Sequence, residues 1–420
     1  MSGQMKVPSV SLQSSEIDGV RKIHRASFSR DRKYVFLCTT LGFSIFSLTS
    51  MKLVSDLRPP SGDVLNGDLV PYSCLACLQT GKRILELWNC ETRIRISPSV
   101  RTEDEISALG INSKRIFVLT LQYCHVLNLK KLELLHSFDR GEAIPAVSQP
   151  LLSVADNGLC AFVVADGVVK VVDSFTLKNF PAIKQHSSSV SAIELADDLL
   201  ITASVKGTII RVFQVSSMTL VGLFRRGRTE TPIRSLEVSN LGDKGTFLTV
   251  TGDSDTAHVF RLPPTDQQTS MVGTVMSFFP TQYKDALEAV RHFGSIKLRR
   301  MASGNIARYV AAIRLDGESL AVVSEETGFA FLYDFHFTKG GEFKLRNEEA
   351  LLAVAGEDKH NFSEPSPQVC LKNDNEAREI EDQPDGIATA STEETVTVEG
   401  KKKRRKKRKN QEPDVPDISF

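Results

Sequence analysis

The chain has 420 residues, of which 41% are hydrophobic and 25% charged, with a formal net charge of +1. That length holds two average domains or one large repetitive one, and the apolar content suits a folded body with a buried core. No run of about 18 apolar residues is present, which excludes a membrane-spanning helix and leaves peripheral contact as the route to a bilayer.

At the start, residues 1–15 read as a short leading segment. Met1-Ser2-Gly3-Gln4-Met5-Lys6 lacks the apolar core of a secretory signal, so an intracellular, cytoplasmic location is expected. The seven cysteines (Cys38, Cys74, Cys77, Cys90, Cys124, Cys160 and Cys370) are odd in number and scattered, which favours a reducing compartment. Cys74-Leu75-Ala76-Cys77 is a lone C-x-x-C. A zinc site needs a second ligand pair, so these are read as buried strand thiols.

From 16 to 355 the chain reads as short strands with turn signals, and one phrase recurs. Arg25-Ala26-Ser27-Phe28 leads to Tyr34-Val35-Phe36-Leu37 and then Phe43-Ser44-Ile45-Phe46. The same three-strand phrase starts again near Ile106, Val190, Ile233 and Tyr309. Units of roughly 40–50 residues, each one small antiparallel sheet, predict a β-propeller, and the span holds about seven blades. The fold class expected is all-β, a seven-bladed β-propeller. Trp88 is the sole tryptophan, so the repeat is degenerate.

Residues 263–295 interrupt the phrase that begins near Ile233. Pro263-Pro264 opens a loop, Met276-Ser277-Phe278-Phe279 follows, and Thr281 suits the cap of a helix. Tyr283, Ala286, Leu287, Val290 and Phe293 would share one face of that helix. Beyond 355 the composition turns polar and acidic, and 356–420 is read as a disordered tail. Within it, nine basic residues in a row begin at Lys401 and end at Lys409.

No P-loop, nucleophile elbow, zinc-protease or dinucleotide signature is present, so the expectation is no enzyme, no metal and no cofactor. The chemistry concentrates between 186 and 258. Phe224-Arg225-Arg226-Gly227 places two arginines side by side in an extended segment. Successive strand residues point to opposite sides, so the two guanidinium groups suit two separate anions, and their planar donors match phosphate oxygens. His186, Ser204, Lys206, Thr208 and Arg211 lie upstream, and Thr251, Thr256 and His258 downstream.

The runs LLITASVKGTIIRVF and LFRRGRTETPIRSLEVS resemble the signature region of the PROPPIN family, the WIPI-type propellers that bind polyphosphoinositides. The likeness extends more loosely over 16–355, including RASFSRDRKYVFLCTTLGFSIF in the first unit. The resemblance implies a peripheral membrane effector that binds phosphatidylinositol 3-phosphate or the 3,5-bisphosphate, with autophagy or trafficking proteins as partners and a monomeric body. It implies association with phagophore assembly sites or with endosomal or vacuolar membranes. It places His186, Ser204, Lys206, Thr208, Arg211 and Arg225 in a first lipid site, and Arg226, Thr229, Thr251, Thr256 and His258 in a second. It also implies membrane insertion by the blade-six loop, through Met276, Phe278, Phe279, Tyr283 and Leu287.

Where the family has a lysine and a glycine, this chain has Ser254 and Asp255. A carboxylate there repels phosphate at short range, so the second site is expected to be the weaker. The basic run carries a rival reading: a nuclear WD-type protein-interaction scaffold addressed by Lys401 to Lys409, or at least a nuclear pool. No specific nucleic-acid partner is expected.

Overall fold

The computed structural model describes residues 21–141, 151–262, 290–301, 307–352 and 362–363. Seven antiparallel sheets follow one another along the chain, each with at least four strands. They form the seven blades of a β-propeller, numbered here in chain order. Blade one holds Ile23–Phe28, Tyr34–Thr39, Gly42–Ser47 and Leu53–Leu57. Blade two runs from Asn66–Leu69 to Val100–Arg101, blade three from Ala108–Ile111 to Leu134–Asp139, and blade four from Leu152–Val154 to Ile183–Lys184. Blade five holds Val190–Ala196, Leu199–Ser204, Ile209–Gln214 and Thr219–Arg225. Blade six holds Ile233–Asn240, Thr246–Gly252, Thr256–Arg261 and Gly294–Lys297. Blade seven holds Tyr309–Ile313, Ser319–Ser324, Phe329–Asp334 and Leu345–Ala350.

The core is a ring of seams. Buried apolar side chains fall into seven clusters, one at each junction of neighbouring blades. A strand with both faces in such seams reads as a continuous apolar run, because alternate residues serve opposite neighbours. In the second strand of blade one, Phe36 and Cys38 pack toward blade two, while Val35 and Leu37 pack toward blade seven. Each such fully buried side chain is worth about 2 kcal/mol. Among the described residues blade seven is built from its own four strands, and the apolar seam that closes the ring sets Ile23, Ala26 and Phe28 against Val310, Ala312 and Val323.

The sheets correspond to the strand phrase expected from the sequence. Among the described cysteines, Cys38, Cys77, Cys90, Cys124 and Cys160 are free and buried, whereas Cys74 is half-buried. Phe362–Ser363, inside the segment expected to be disordered, pairs antiparallel with Arg300–Met301, so that expectation does not hold there; Cys370, the rest of the tail and residues 1–20 lie outside the described residues.

The insertion in blade six is narrower than 263–295. Its described end belongs to the sheets: Val290–Arg291 pairs in parallel with Phe224 and Arg225 on the outer strand of blade five. Gly294–Lys297 then closes blade six. Val290 is extended, so it does not belong to the expected helix, whose other positions up to 289 lie outside the described residues. Phe293 packs against the core between blades six and seven, close to Phe247 and Phe335, so it does not continue an exposed apolar face. Met276, Phe278, Phe279, Tyr283 and Leu287 lie outside the described residues.

Candidate functional site

The two arginines sit at the end of the outer strand of blade five, and the strand's pleat separates them. Arg225 lies opposite Ile209, and Leu223 opposite Arg211, which itself lies opposite Thr202. Cross-strand partners share a face, so Thr202, Ser204, Ile209, Arg211 and Arg225 are on one side of the blade. That side faces blade four, because Leu200 and Phe213, in step with Thr202 and Arg211, belong to the seam between blades four and five. Phe224 belongs instead to the seam between blades five and six. Arg226, in step with Phe224, goes with it.

On the first side His186 anchors the arrangement. It comes from the connection between blades four and five and is 4% exposed. Arg211 Nη1 donates to His186 Nδ1 at 2.7 Å, and the other ring nitrogen lies 2.9 Å from Thr202 Oγ1. An arginine can only donate, so Nδ1 accepts and Nε2–H donates to the threonine. Burial, with the Arg211 charge added, pushes the imidazole down to about 3, so it is neutral at physiological pH. A neutral imidazole here orients Arg211 without cancelling its charge.

Lys206 and Thr208 lie in the turn above. Gly207 between them has φ +57°, and a Cβ there would collide with the Thr231 carbonyl. Only glycine fits this close approach of the 206–208 turn to the 226–231 connection. Lys206 Nζ is 3.4 Å from Glu230 Oε1, an exposed pair of little energetic weight.

On the second side Arg226 is 8% exposed. Its Nε donates to Gly207 O at 2.7 Å and its Nη2 donates to Thr229 O, so the guanidinium staples the turn to the connection. Thr229 thus contributes its carbonyl, while its side chain is exposed. His258 faces blade five, in step with Phe260, and is 8% exposed. Burial, then the neighbouring His292 and Arg226, push its imidazole down to about 4. Its ring centroid is 5.0 Å from that of His292, and its Nδ1 is buried without a hydrogen-bond partner.

Thr256, two residues before His258, shares its face, but Thr251 does not. Thr251 is 1% exposed and donates through Oγ1 to Tyr309 O of blade seven at 2.6 Å. Its hydroxyl serves the seam between blades six and seven, on the far side of the sheet. The sequence alone hides this, because the bend at 253–255 puts Thr251 and Thr256 on different strands.

Asp255 is not the bare carboxylate that the sequence suggests. Its Oδ2 accepts from Lys297 Nζ at 2.9 Å and from Arg300 Nη2 at 2.7 Å, and its Oδ1 accepts from Thr256 Oγ1 at 3.2 Å. Burial alone would raise this carboxyl, but the combined hydrogen bonds outweigh it and hold it below the usual carboxylate range. The Asp255 charge is therefore offset in place by two cations. Thr202, His292, Lys297 and Arg300 were missed by sequence reasoning. Thr202 was recoverable, since strand parity puts it beside Ser204. The others follow the insertion, and nothing local to the arginine pair points to them.

The sequence profile of the PROPPIN family matches residues 23–352. The chain is 24% identical over 367 residues to the WD repeat domain phosphoinositide-interacting protein 2 of Xenopus laevis, covering 81% of this chain and 82% of that one. It is 26% identical over 309 residues to autophagy-related protein 18 of Dictyostelium discoideum, covering 65% and 77%. In architecture it resembles Hsv2 of Kluyveromyces lactis, with a TM-score of 0.63 at 19% identity over 79% of this chain and all of that one. KlAtg21, solved in complex with the coiled-coil of AgAtg16, gives a TM-score of 0.61 at 20% identity, over 78% and 99%. The match spans the ring of blades from the first strand of blade one to the end of blade seven, and this chain belongs to the PROPPIN family.

Proposed function

We propose that the protein is a non-enzymatic, peripheral membrane effector that binds phosphatidylinositol 3-phosphate and the 3,5-bisphosphate at two places on the rim of blade five. One observation carries this reading: Arg225 and Arg226 leave one strand toward opposite seams, each with its own polar neighbours. The first site comprises Arg225, Arg211, His186, Ser204, Lys206 and Thr208. The second comprises Arg226, His258 and Thr256, with Thr229 holding Arg226 through its carbonyl. Neither site needs a metal, since guanidinium, ammonium and hydroxyl donors suffice for a phosphate monoester.

The relatives' names, phosphoinositide-interacting and autophagy-related, support a role in autophagosome formation or endosomal trafficking. The protein would then act by recruiting other proteins, and the coiled-coil bound to KlAtg21 supports partners of that kind. The blade-six loop, through Met276, Phe278, Phe279, Tyr283 and Leu287, would add apolar contact with the bilayer. Two modest headgroup sites and one insertion on a rigid body bind far more tightly than any alone.

Flotation with phosphatidylcholine vesicles carrying single phosphoinositides tests the reading. The wild type is expected to float with the 3-phosphate and the 3,5-bisphosphate. The Arg225→Ala/Arg226→Ala double variant is expected to lose at least about a hundredfold in affinity, from two charge-assisted contacts. Failure of the wild type to float with either lipid would sink the proposal.

A further inference from the structure

The second site holds two cations that no motif assigns. Lys297 lies on the fourth strand of blade six directly opposite Thr256, and Ser295 lies opposite His258. Lys297 and Thr256 therefore share the face of blade six that looks toward blade five. Arg300 comes from the connection just beyond that strand. Both cations converge on one oxygen of Asp255, at 2.9 and 2.7 Å. Their side chains stay 32% and 52% exposed, so solvent and a ligand can reach them. Taken with Asp255 the trio carries a net positive charge. One strand row away is His258, nine-tenths buried, with a ring nitrogen that lacks a partner.

We infer that Lys297 and Arg300 complete the second phosphate pocket, supplying from the far side of the insertion the cationic charge that Ser254 and Asp255 do not. Asp255 is then a positioning residue. It holds two mobile side chains in place before the ligand arrives, which lowers the ordering cost of binding. A headgroup phosphate on this face meets Lys297 and Arg300 at one end of the pocket and the Arg226–His258 pair at the other. This rests on the two-site reading above and goes beyond it, because it moves part of the site past residue 290.

The test measures affinity for phosphatidylcholine vesicles carrying phosphatidylinositol 3-phosphate or the 3,5-bisphosphate, with phosphatidylserine vesicles as a comparison arm. Lys297→Ala and Arg300→Ala are each expected to weaken phosphoinositide binding about tenfold, the loss of one charge-assisted contact, and Lys297→Arg to retain it. Binding to phosphatidylserine is expected to change little. Unchanged phosphoinositide affinity in both alanine variants overturns the inference, as does an equal loss on phosphatidylserine, which would mark a generic surface charge. Should Lys297→Ala melt early, the more exposed Arg300→Ala decides. A wild type that binds neither phosphoinositide would instead defeat the parent reading.

Discussion

Arg226 commits two of its N–H groups to carbonyls of its own chain, Gly207 O and Thr229 O, and burial lowers its pKa from the usual guanidinium value. Replacing it with alanine leaves both carbonyls short of a donor at an 8%-exposed position. Arg226→Ala is therefore expected to cost about 2 kcal/mol of stability, seen as a lower urea midpoint, besides any loss of lipid binding. An unchanged midpoint would show that the staple is not needed. His186 makes a second residue-scale case, through pH. In the unfolded chain an imidazole titrates near 6.5, but in the fold His186 titrates near 3. Between those values the unfolded chain binds a proton that the fold refuses. Stability is thus full above about pH 6.5 and is lost as pH falls toward 3, at about 1.4 kcal/mol per unit from this one group. His186→Gln removes that titration, so its unfolding free energy is expected to fall less steeply than the wild type's between about pH 7 and pH 5. Equal slopes would count against a buried, neutral His186. The arginine pair was legible in the sequence because pleat parity is a local property. The fate of Thr251 and the pairing of Asp255 were not, because each depends on a partner more than 40 residues away in the chain.

At the scale of the element, the blade-six insertion is bracketed by sheet. The third strand ends at Arg261, and the chain rejoins at Val290–Arg291 against blade five before closing blade six at Gly294–Lys297. Replacing 264–288 with a Gly-Ser linker spares all of these pairings. Such a variant is expected to keep the wild-type urea midpoint and its affinity for a soluble headgroup, while losing about tenfold or more in vesicle affinity. Undiminished vesicle binding would exclude the loop as a membrane contact. The same scale shows why some strands were readable and others were not. The second strand of blade seven, Ser319–Ser324, is buried along its whole length, and its apolar run stands out. The outer strand, Leu345–Ala350, reads Leu-Arg-Asn-Glu-Glu-Ala and is exposed at all but one residue, so only its pairing with Phe329–Asp334 makes it a strand. Blade two, with Asn66–Leu69 as a first strand of just four residues, was counted from chain length alone. The extended residues Val290–Arg291 escaped for a different reason. Their apolar spacing also fits a helix, and a sheet edge on another blade decides the matter.

For the whole molecule the question is what keeps the ring shut when, among the described residues, no strand is shared across its closure. The seam between blades seven and one is apolar like the others, with Phe28, Val35 and Leu37 against Val310, Val323 and Leu332, and Ala26 N donates to Glu325 Oε1 at 3.0 Å. A second device works across the middle. The turn between the first two strands of blade one sends Arg32 to blade six, where Nη1 meets Glu237 Oε2 at 2.6 Å and Nη2 donates to Val238 O at 2.7 Å. Arg30 of the same turn reaches Asp156 of blade four at 3.1 Å. Blade one is thereby tied to blades that it does not adjoin. The Arg32–Glu237 side chains are 8% and 14% exposed, so water cannot readily replace either partner. Glu194, on the first strand of blade five, feels both. Burial and then the Glu237 charge push its carboxyl above the usual range, against the pull of Arg32. Removing Arg32 would leave the Glu237 carboxylate without its paired cation, near a Glu194 carboxyl that its charge already raises. Arg32→Ala is accordingly expected to cost about 3–5 kcal/mol, as for any buried pair broken on one side. The Arg32→Ala/Glu237→Gln double variant is expected to lose less than the sum of the two single variants, since the orphaned charge is gone. Urea unfolding of the four proteins measures both quantities. A small loss for Arg32→Ala, additive with Glu237→Gln, would mean that the apolar seam alone closes the ring.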